Sequence, residues 1–341
     1  MTTPPDTRLS MHTPLAVPVA IAGTGLHLPP AVISNQQLTE TLDTSDEWIV
    51  EHTGIRERRH LSPELAVSDM AVAAAEDAIA ASGVRAVDLD AVLIATYTGD
   101  QILPSTALMV ADRLGARRAL PIDITQAACA NGLQAMLLAA HLLQSTARTV
   151  LVVAADCASR VTDPADRTTR VFFGDAAVAV VLTRGTEPGT GLLSWDFGAE
   201  LSDSVQIPAG GSRLPASART VAEGDHYLHM DGRAVWEMAT EQLPRSIENA
   251  VRRAGSTVDA VDHFFLHQAN LRIVTAAMDR IAVSMDRAPV TVDRLGNTGS
   301  AGAFTALHTV MSQGRINSGD TFVLSAIGAG FQWGTLYMRH P

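Results

Sequence analysis

The sequence has no lysine; all 25 of its basic residues are arginines. That absence excludes Schiff-base catalysis and lysine-bound pyridoxal phosphate, and it leaves any phosphate contact to arginine or backbone N–H groups. Cysteine is almost as scarce. Two in 341 residues build no disulfide framework, and a reducing cytoplasm is the expected setting. Apolar runs are short, such as residues 91–95 and 150–155, and none approaches the ~20 residues that span a bilayer. The N-terminus is polar and rich in Pro and Thr, without a signal-peptide pattern, so residues 1–16 are expected to form a flexible arm. Positive charge is in deficit. A net charge of −11 argues against nucleic acid as a partner.

Familiar motifs are missing too. There is no P-loop. Gly23-Thr24-Gly25-Leu26-His27-Leu28 is an incomplete dinucleotide fingerprint. His226 with His229, and His263 with His267, have metal-like spacing, but no Glu or Cys joins them in a zinc motif, so no metal is expected.

What is present is a 47% hydrophobic chain, enough for a sizeable core, in which strand-like and helix-like segments alternate. Strands are expected near 17–23, 91–96, 150–155, 177–182, 263–267, 321–326 and 334–338. Helices are expected near 67–81, 133–143, 235–253, 271–281 and 303–312. This alternation predicts an α/β fold with helices covering sheets. A polar Gly/Pro/Ser-rich stretch, 196–224, reads as a linker and loop. It separates an N-terminal half, 17–195, from a C-terminal half, 196–341.

The halves repeat one another. In each, a helix ends at a glycine (Gly83, Gly255) and a buried strand follows; in each, a proline (Pro121, Pro289) opens a further strand. PIDITQAACANGLQA and PVTVDRLGNTGSAGA align without gaps, eight residues after the prolines bringing Cys129 opposite Asn297. The two are expected to face each other across one cleft.

Cys129 stands where an apolar strand gives way to an Ala/Leu-rich helix. The positive helix end there is expected to lower its pKa and make it a nucleophile; a small buried core thiol is the alternative. His267 ends a strand, a common place for a functional side chain in α/β folds, and is the proton partner or charge stabiliser that a cysteine nucleophile needs. Asn297, in a Gly-flanked turn, is either a hydrogen-bond donor or a helix cap. Gly328-Ala329-Gly330-Phe331 is either a hairpin turn or a source of backbone N–H groups that complete an oxyanion hole with Cys129. The carboxylates over 43–47 read as the start of a helix.

Six segments resemble the β-ketoacyl-acyl carrier protein synthase III family of thiolase-fold condensing enzymes. They are DTSDEWIVEHTGIRERR (43–59), AACANG (127–132), DRTTRVFFGDAAVAVVL (166–182), HQANLRI (267–273), GNTGSAGA (296–303) and GAGFQWG (328–334), in family order across nearly the whole chain. The resemblance implies a thiolase fold of duplicated α/β halves in an α-β-α-β-α layering, a homodimer, and a Cys129-His267-Asn297 triad. It implies an acyltransferase without a cofactor: coenzyme A thioesters are substrates, an acyl group is loaded on Cys129, and condensation with a malonyl thioester gives a 3-oxoacyl product in fatty acid or polyketide biosynthesis. The N–H groups of Cys129 and Ala329 then hold the oxyanion. Trp48 and Arg167 match a pair that sandwiches the adenine of coenzyme A. Trp236 and Asn270 match pantetheine-tunnel walls, and Leu103 matches a residue that crosses the dimer interface to close the acyl pocket.

Departures from the family point to a specialised, secondary-metabolism member. His52 stands where Arg is common, and Asn131 replaces a small residue. In the acyl carrier protein docking patch Arg272 and Arg280 remain basic, but Glu237 and Asp279 reverse the charge. A transferase that passes the acyl or malonyl group to a non-carbon nucleophile or another carrier is therefore the second reading. A non-catalytic partner subunit is a third, and the intact Cys-His-Asn set argues against it.

Overall fold

The computed structural model describes residues 15–341. The expected arm therefore falls outside the described residues except for Leu15 and Ala16.

Among the described residues, nine strands build the two large sheets. In chain order they are β1 (Val19–His27), β2 (Ala91–Ala95), β3 (Leu120–Ile124), β4 (Thr149–Cys157), β5 (Asp175–Arg184), β6 (Gly191–Ala199), β7 (His263–Leu266), β8 (Thr321–Gly328) and β9 (Gln332–Arg339). The main helices are α1 (Asp46–Thr53), α2 (Val67–Ser82), α3 (Thr106–Arg113), α4 (Asn131–Leu142), α5 (Gly232–Arg253), α6 (Leu271–Arg280) and α7 (Gly302–Ser312). The first sheet runs in the order β1-β5-β4-β2-β3 and the second in the order β7-β8-β9-β6.

Helices α4 and α7 lie between the sheets and touch both. Helices α2 and α3 cover the outer face of the first sheet, and α5 and α6 that of the second. The result is five layers, α-β-α-β-α. Sandwiching explains the continuous apolar strands, because both faces of each are buried. In β2, Leu93 and Ala95 point into the central layer while Val92 and Ile94 face α2 and α3.

The glycines of the incomplete dinucleotide fingerprint serve this packing. A Cβ at Gly23 would lie 2.6 Å from the carbonyl oxygen of Ala78, and one at Gly25 2.1 Å from that of Ala74. They let α2 press against β1. Helix α1 starts at an N-cap, Ser45, whose side chain accepts from Trp48 N, as the carboxylate-rich start predicts.

Three expectations are corrected. Strand β6 pairs with β9, so the second sheet begins at Gly191, before the boundary expected after residue 195. The stretch 196–224 is more than a linker: it completes β6, and its Val205 and Gln206 pair with Met230 and His229. No strand follows Pro289. The Gln268 side chain takes its place, accepting from Thr291 N (2.9 Å) and Val292 N (3.1 Å) and donating to the carbonyls of Leu266 (2.9 Å) and Pro289 (3.3 Å).

The repeat also has a different register from the gapless alignment. A one-turn 3-10 helix precedes each central helix, Ala128–Ala130 before α4 and Gly299–Ala301 before α7. The middle residue of the first is Cys129 and of the second Ser300. Asn297 reaches the thiol from three residues upstream of Ser300, the observed counterpart of Cys129, and the short helix Val292–Leu295 stands where a strand was expected.

Candidate active site

Ala128 holds a left-handed φ of +42°, a costly conformation for a residue with a Cβ. It reverses the chain between β3 and α4 and turns Cys129 into a cavity of about 950 Å³, mouth included. Asn131 braces this turn: it is fully buried and its Oδ1 accepts from Ala127 N at 2.7 Å. Cys129 Sγ lies 4.0 Å from Asn297 Oδ1.

Asn297 is held on both sides of its peptide. Its N–H donates to the Phe172 carbonyl (2.7 Å) and its carbonyl accepts from Gly174 N (3.0 Å). Its Oδ1 accepts from Gly299 N at 3.0 Å, which leaves Nδ2 as the free donor. A Cβ at Gly174 would sit 2.2 Å from the Leu295 carbonyl oxygen, so the approach requires glycine.

His267 follows β7, its N–H donating to the Ser325 carbonyl at 2.8 Å. Its ring abuts Gly302, the first residue of α7; a Cβ there would be 2.4 Å from Nδ1. Burial pushes its pKa down to about 4, and the positive helix end disfavours an imidazolium as well. His267 is therefore neutral at physiological pH. Its Nδ1 has no partner among the described residues.

The thiol departs from expectation. Enclosure by protein, with the Asp156 carboxylate nearby, pushes Cys129 up to about 12 instead of down. The free cavity is therefore lined by a neutral thiol and a neutral imidazole.

Asp156 is the residue that sequence reasoning missed. Fully buried at the end of β4, it accepts from Thr96 Oγ1 (2.9 Å), Tyr97 N (2.9 Å), Thr98 Oγ1 (3.0 Å) and Ser300 N (2.7 Å). Burial pushes its pKa up to about 6. Ser300 Oγ in turn donates to the Ala128 carbonyl at 3.1 Å, so one carboxylate ties the asparagine loop to the Cys129 turn. The signal was a lone acid closing an otherwise apolar strand.

Gly328 and Ala329 line the cavity at the β8–β9 hairpin turn. A Cβ on Gly328 would fall 1.8 Å from the Ala127 carbonyl oxygen and 2.9 Å from Cys129 N, so this turn and the Cys129 turn are in backbone contact. The hairpin turn therefore lines the cavity.

The cavity thus gathers Cys129, His267, Asn297, Ala329, Trp236 and Asn270. Asn270 also caps α6, accepting from Arg272 N at 2.8 Å and donating to the His52 carbonyl at 3.1 Å. Trp48, Arg167, Leu103, Arg272 and Arg280 do not line it. The guanidinium of Arg167 lies over the Trp48 ring at 5.5 Å, and His52 stacks on Trp48 at 4.3 Å, so no open slot separates the expected adenine pair. Arg272 lies over Trp236 at 5.7 Å and shares a neighbouring hollow with Asp279. Arg280 is in the last turn of α6, and Leu103 is 81% exposed on the surface.

Residues 122–200 match the family described as 3-Oxoacyl-[acyl-carrier-protein (ACP)] synthase III, and residues 251–340 match its C-terminal region. A β-ketoacyl-[acyl-carrier-protein] synthase III of Symbiobacterium thermophilum is 41% identical over 325 residues, covering 94% of this chain and 98% of the relative. Among solved structures, 3-oxoacyl-(acyl carrier protein) synthase III of Pseudomonas aeruginosa PAO1 superposes with a TM-score of 0.86 at 36% identity, over 95% of this chain and 98% of that one. The priming β-ketosynthase of the R1128 polyketide biosynthetic pathway superposes with a TM-score of 0.87 at 30% identity, over 97% and 99%. The duplicated five-layer architecture is the thiolase fold, and the chain belongs to the β-ketoacyl-[acyl-carrier-protein] synthase III family of condensing enzymes.

Proposed function

We propose that the enzyme takes an acyl group from an acyl-coenzyme A thioester onto Cys129 and condenses it with a malonyl thioester. The observation that carries this is the convergence of Cys129, His267 and Asn297, from three distant segments, on one cavity.

In the first half-reaction the Cys129 sulfur attacks the thioester carbonyl. Neutral His267 takes the thiol proton and returns it to the departing coenzyme A sulfur. The oxyanion is held by the N–H groups of Cys129 and Ala329. A malonyl thioester then enters. Its C–C bond to the carboxylate breaks, CO2 leaves, and the electron pair becomes an enolate. Two neutral donors, His267 N–H and Asn297 Nδ2–H, stabilise the enolate oxygen, and no base is needed because decarboxylation itself creates the charge. The carbanion attacks the acyl-Cys129 carbonyl, sulfur is expelled, and a 3-oxoacyl thioester departs. Trp48, Arg167, Trp236 and Asn270 bind the coenzyme A and pantetheine portions in this reading, with Arg167 moving off Trp48 to admit the adenine. Ile102 and Leu103, 86% and 81% exposed, are the apolar pair a second copy would cover in a homodimer.

One observation favours transfer to a non-carbon acceptor. Glu237, paired with Arg233 at 2.8 Å, and Asp279, sharing a hollow with Arg272, place negative charge where an acidic carrier protein would dock on Arg272 and Arg280. Incubation with acyl-coenzyme A, followed by intact mass of the Cys129 adduct, tests the shared first step. Adding a malonyl thioester, or alcohols and amines in its place, distinguishes the two. A 3-oxoacyl product supports condensation; an ester or amide without CO2 release supports transfer.

A further inference from the structure

Arg58 is a fully buried cation that does not line the catalytic cavity. It lies on Glu57–His60, which pairs antiparallel with Ala31–Ser34. Its guanidinium donates to the carbonyls of Ile33 (3.2 Å) and Val171 (2.7 Å) and to Asn35 Oδ1 (2.7 Å), all neutral acceptors. Its Nε has no partner among the described residues. Burial first and Arg170 second push its pKa down to about 10, so it stays charged at neutral pH. A buried cation without a hydrogen-bonded carboxylate is costly to the fold.

What this cation holds is the frame around Asn297. One arm grips the Val171 carbonyl, and the residues just after Val171 clamp Asn297. The Phe172 carbonyl accepts from Asn297 N, and Gly174 N donates to the Asn297 carbonyl. The Arg58 stem packs under the same clamp. A Cβ at Gly174 would lie 3.0 Å from Arg58 Cβ, and one at Gly296 3.2 Å. The other arm is anchored through Asn35, whose Nδ2 donates to Asp46 Oδ1 (2.7 Å) and to the Ile55 carbonyl (2.8 Å). The aim of Asn297 Nδ2 follows its backbone, because Oδ1 is fixed by Gly299 N at 3.0 Å.

We propose that Arg58 is a positioning residue for the second half-reaction: its planar fork, bonded to Asn35 and Val171 together, holds the clamp that aims the Asn297 amide N–H at the enolate oxygen. The inference rests on the condensation reading above. It assigns Arg58 to decarboxylation and not to acyl loading, because the clamp bears on Asn297 alone.

The experiment measures the two half-reactions separately in wild type, Arg58→Met and Arg58→Lys, each shown to be folded by circular dichroism. Loading of Cys129 from acetyl-, butyryl- and octanoyl-coenzyme A is followed by intact mass. Release of labelled CO2 is followed from malonyl-coenzyme A and from a malonyl carrier protein. Arg58→Met should slow CO2 release by roughly 10- to 100-fold, the loss expected when a donor is misaimed, and leave the loading rate within about twofold. Arg58→Lys keeps the charge but not the fork, and should show the same split in smaller degree; it carries the test if Arg58→Met does not fold. In an Asn297→Ala background, substituting Arg58 should slow CO2 release by less than about twofold further. A residue that serves only the fold would lower the urea midpoint without separating the two rates. Unchanged rates, a parallel fall in both, or an undiminished effect in Asn297→Ala would overturn the proposal alone. A wild type that loads no acyl group, or that loads one and releases no CO2 with either malonyl donor, overturns the condensation reading and this inference with it.

Discussion

The Cys129 sulfur and the Asn297 amide oxygen lie 4.0 Å apart although 168 residues separate them in the chain. The contact is made where the two halves of the duplicated fold meet. There the sulfur is enclosed by protein with the Asp156 carboxylate near, and these two outweigh the opposing effect of the Asn297 hydrogen bond. Burial and Asp156 hold the thiol up at about 12, so alkylation of the free enzyme by iodoacetamide should keep rising with pH through pH 9. A plateau below pH 8 would mean that the helix end, rather than burial, governs the sulfur. Cys129→Ala should abolish every covalent acyl adduct seen by intact mass.

His267 is neutral because burial depresses its pKa from 6.5 to about 4. CO2 release from a malonyl thioester should therefore stay level from pH 8 down to about pH 5 as far as this group is concerned. For stability, the unfolded chain takes up the proton near pH 6.5 and the folded one only near pH 4. The contribution of neutral His267 is thus complete above pH 6.5 and is lost as pH falls toward 4. His267→Ala should slow CO2 release by roughly 10²–10³, the usual loss on removing one preorganised donor. Unchanged release removes His267 from the enolate role.

Gly328 touches the Cys129 turn through backbone atoms that cannot move aside cheaply. Gly328→Ala should cost about 1–3 kcal/mol or more in urea unfolding and slow acyl loading. Gly211→Ala, with nothing within 4 Å of its Cβ position, is the control and should behave as wild type.

Gln268 replaces a strand with one side chain. Gln268→Ala strands the N–H groups of Thr291 and Val292, each costing roughly 1–3 kcal/mol when left unpaired. A lowered urea midpoint is the expected result, with a slower second half-reaction because the chain leading to Asn297 loosens. An unchanged midpoint would show that the backbone finds other partners.

Trp48→Ala should raise KM for coenzyme A thioesters and leave the rate from acyl-Cys129 onward unaltered. An unchanged KM would show that the Trp48–His52–Arg167 stack is a structural element, with adenine bound elsewhere.

Periodicity and composition carried the alternating architecture, because strands buried on both faces must be apolar throughout and helices between sheets must be small and greasy. The approximate strand and helix positions followed from that. Local motifs and a family resemblance singled out Cys129, His267, Asn297 and the Gly328–Phe331 turn, and the fold brings them to one cavity. The sequence could not reveal the three-residue slip that sets Ser300, not Asn297, opposite Cys129. Gapless alignment of the repeats hides it, since only the fold shows that Gln268 stands in for a strand. Nor could it reveal Asp156, whose importance comes from donors on Thr96, Tyr97, Thr98 and Ser300 that converge only after folding. The direction of the Cys129 shift was likewise decided by the tertiary structure. A helix start is a local feature and argues for a thiolate. Desolvation and a buried carboxylate are properties of the assembled core, and in that low-dielectric setting they dominate.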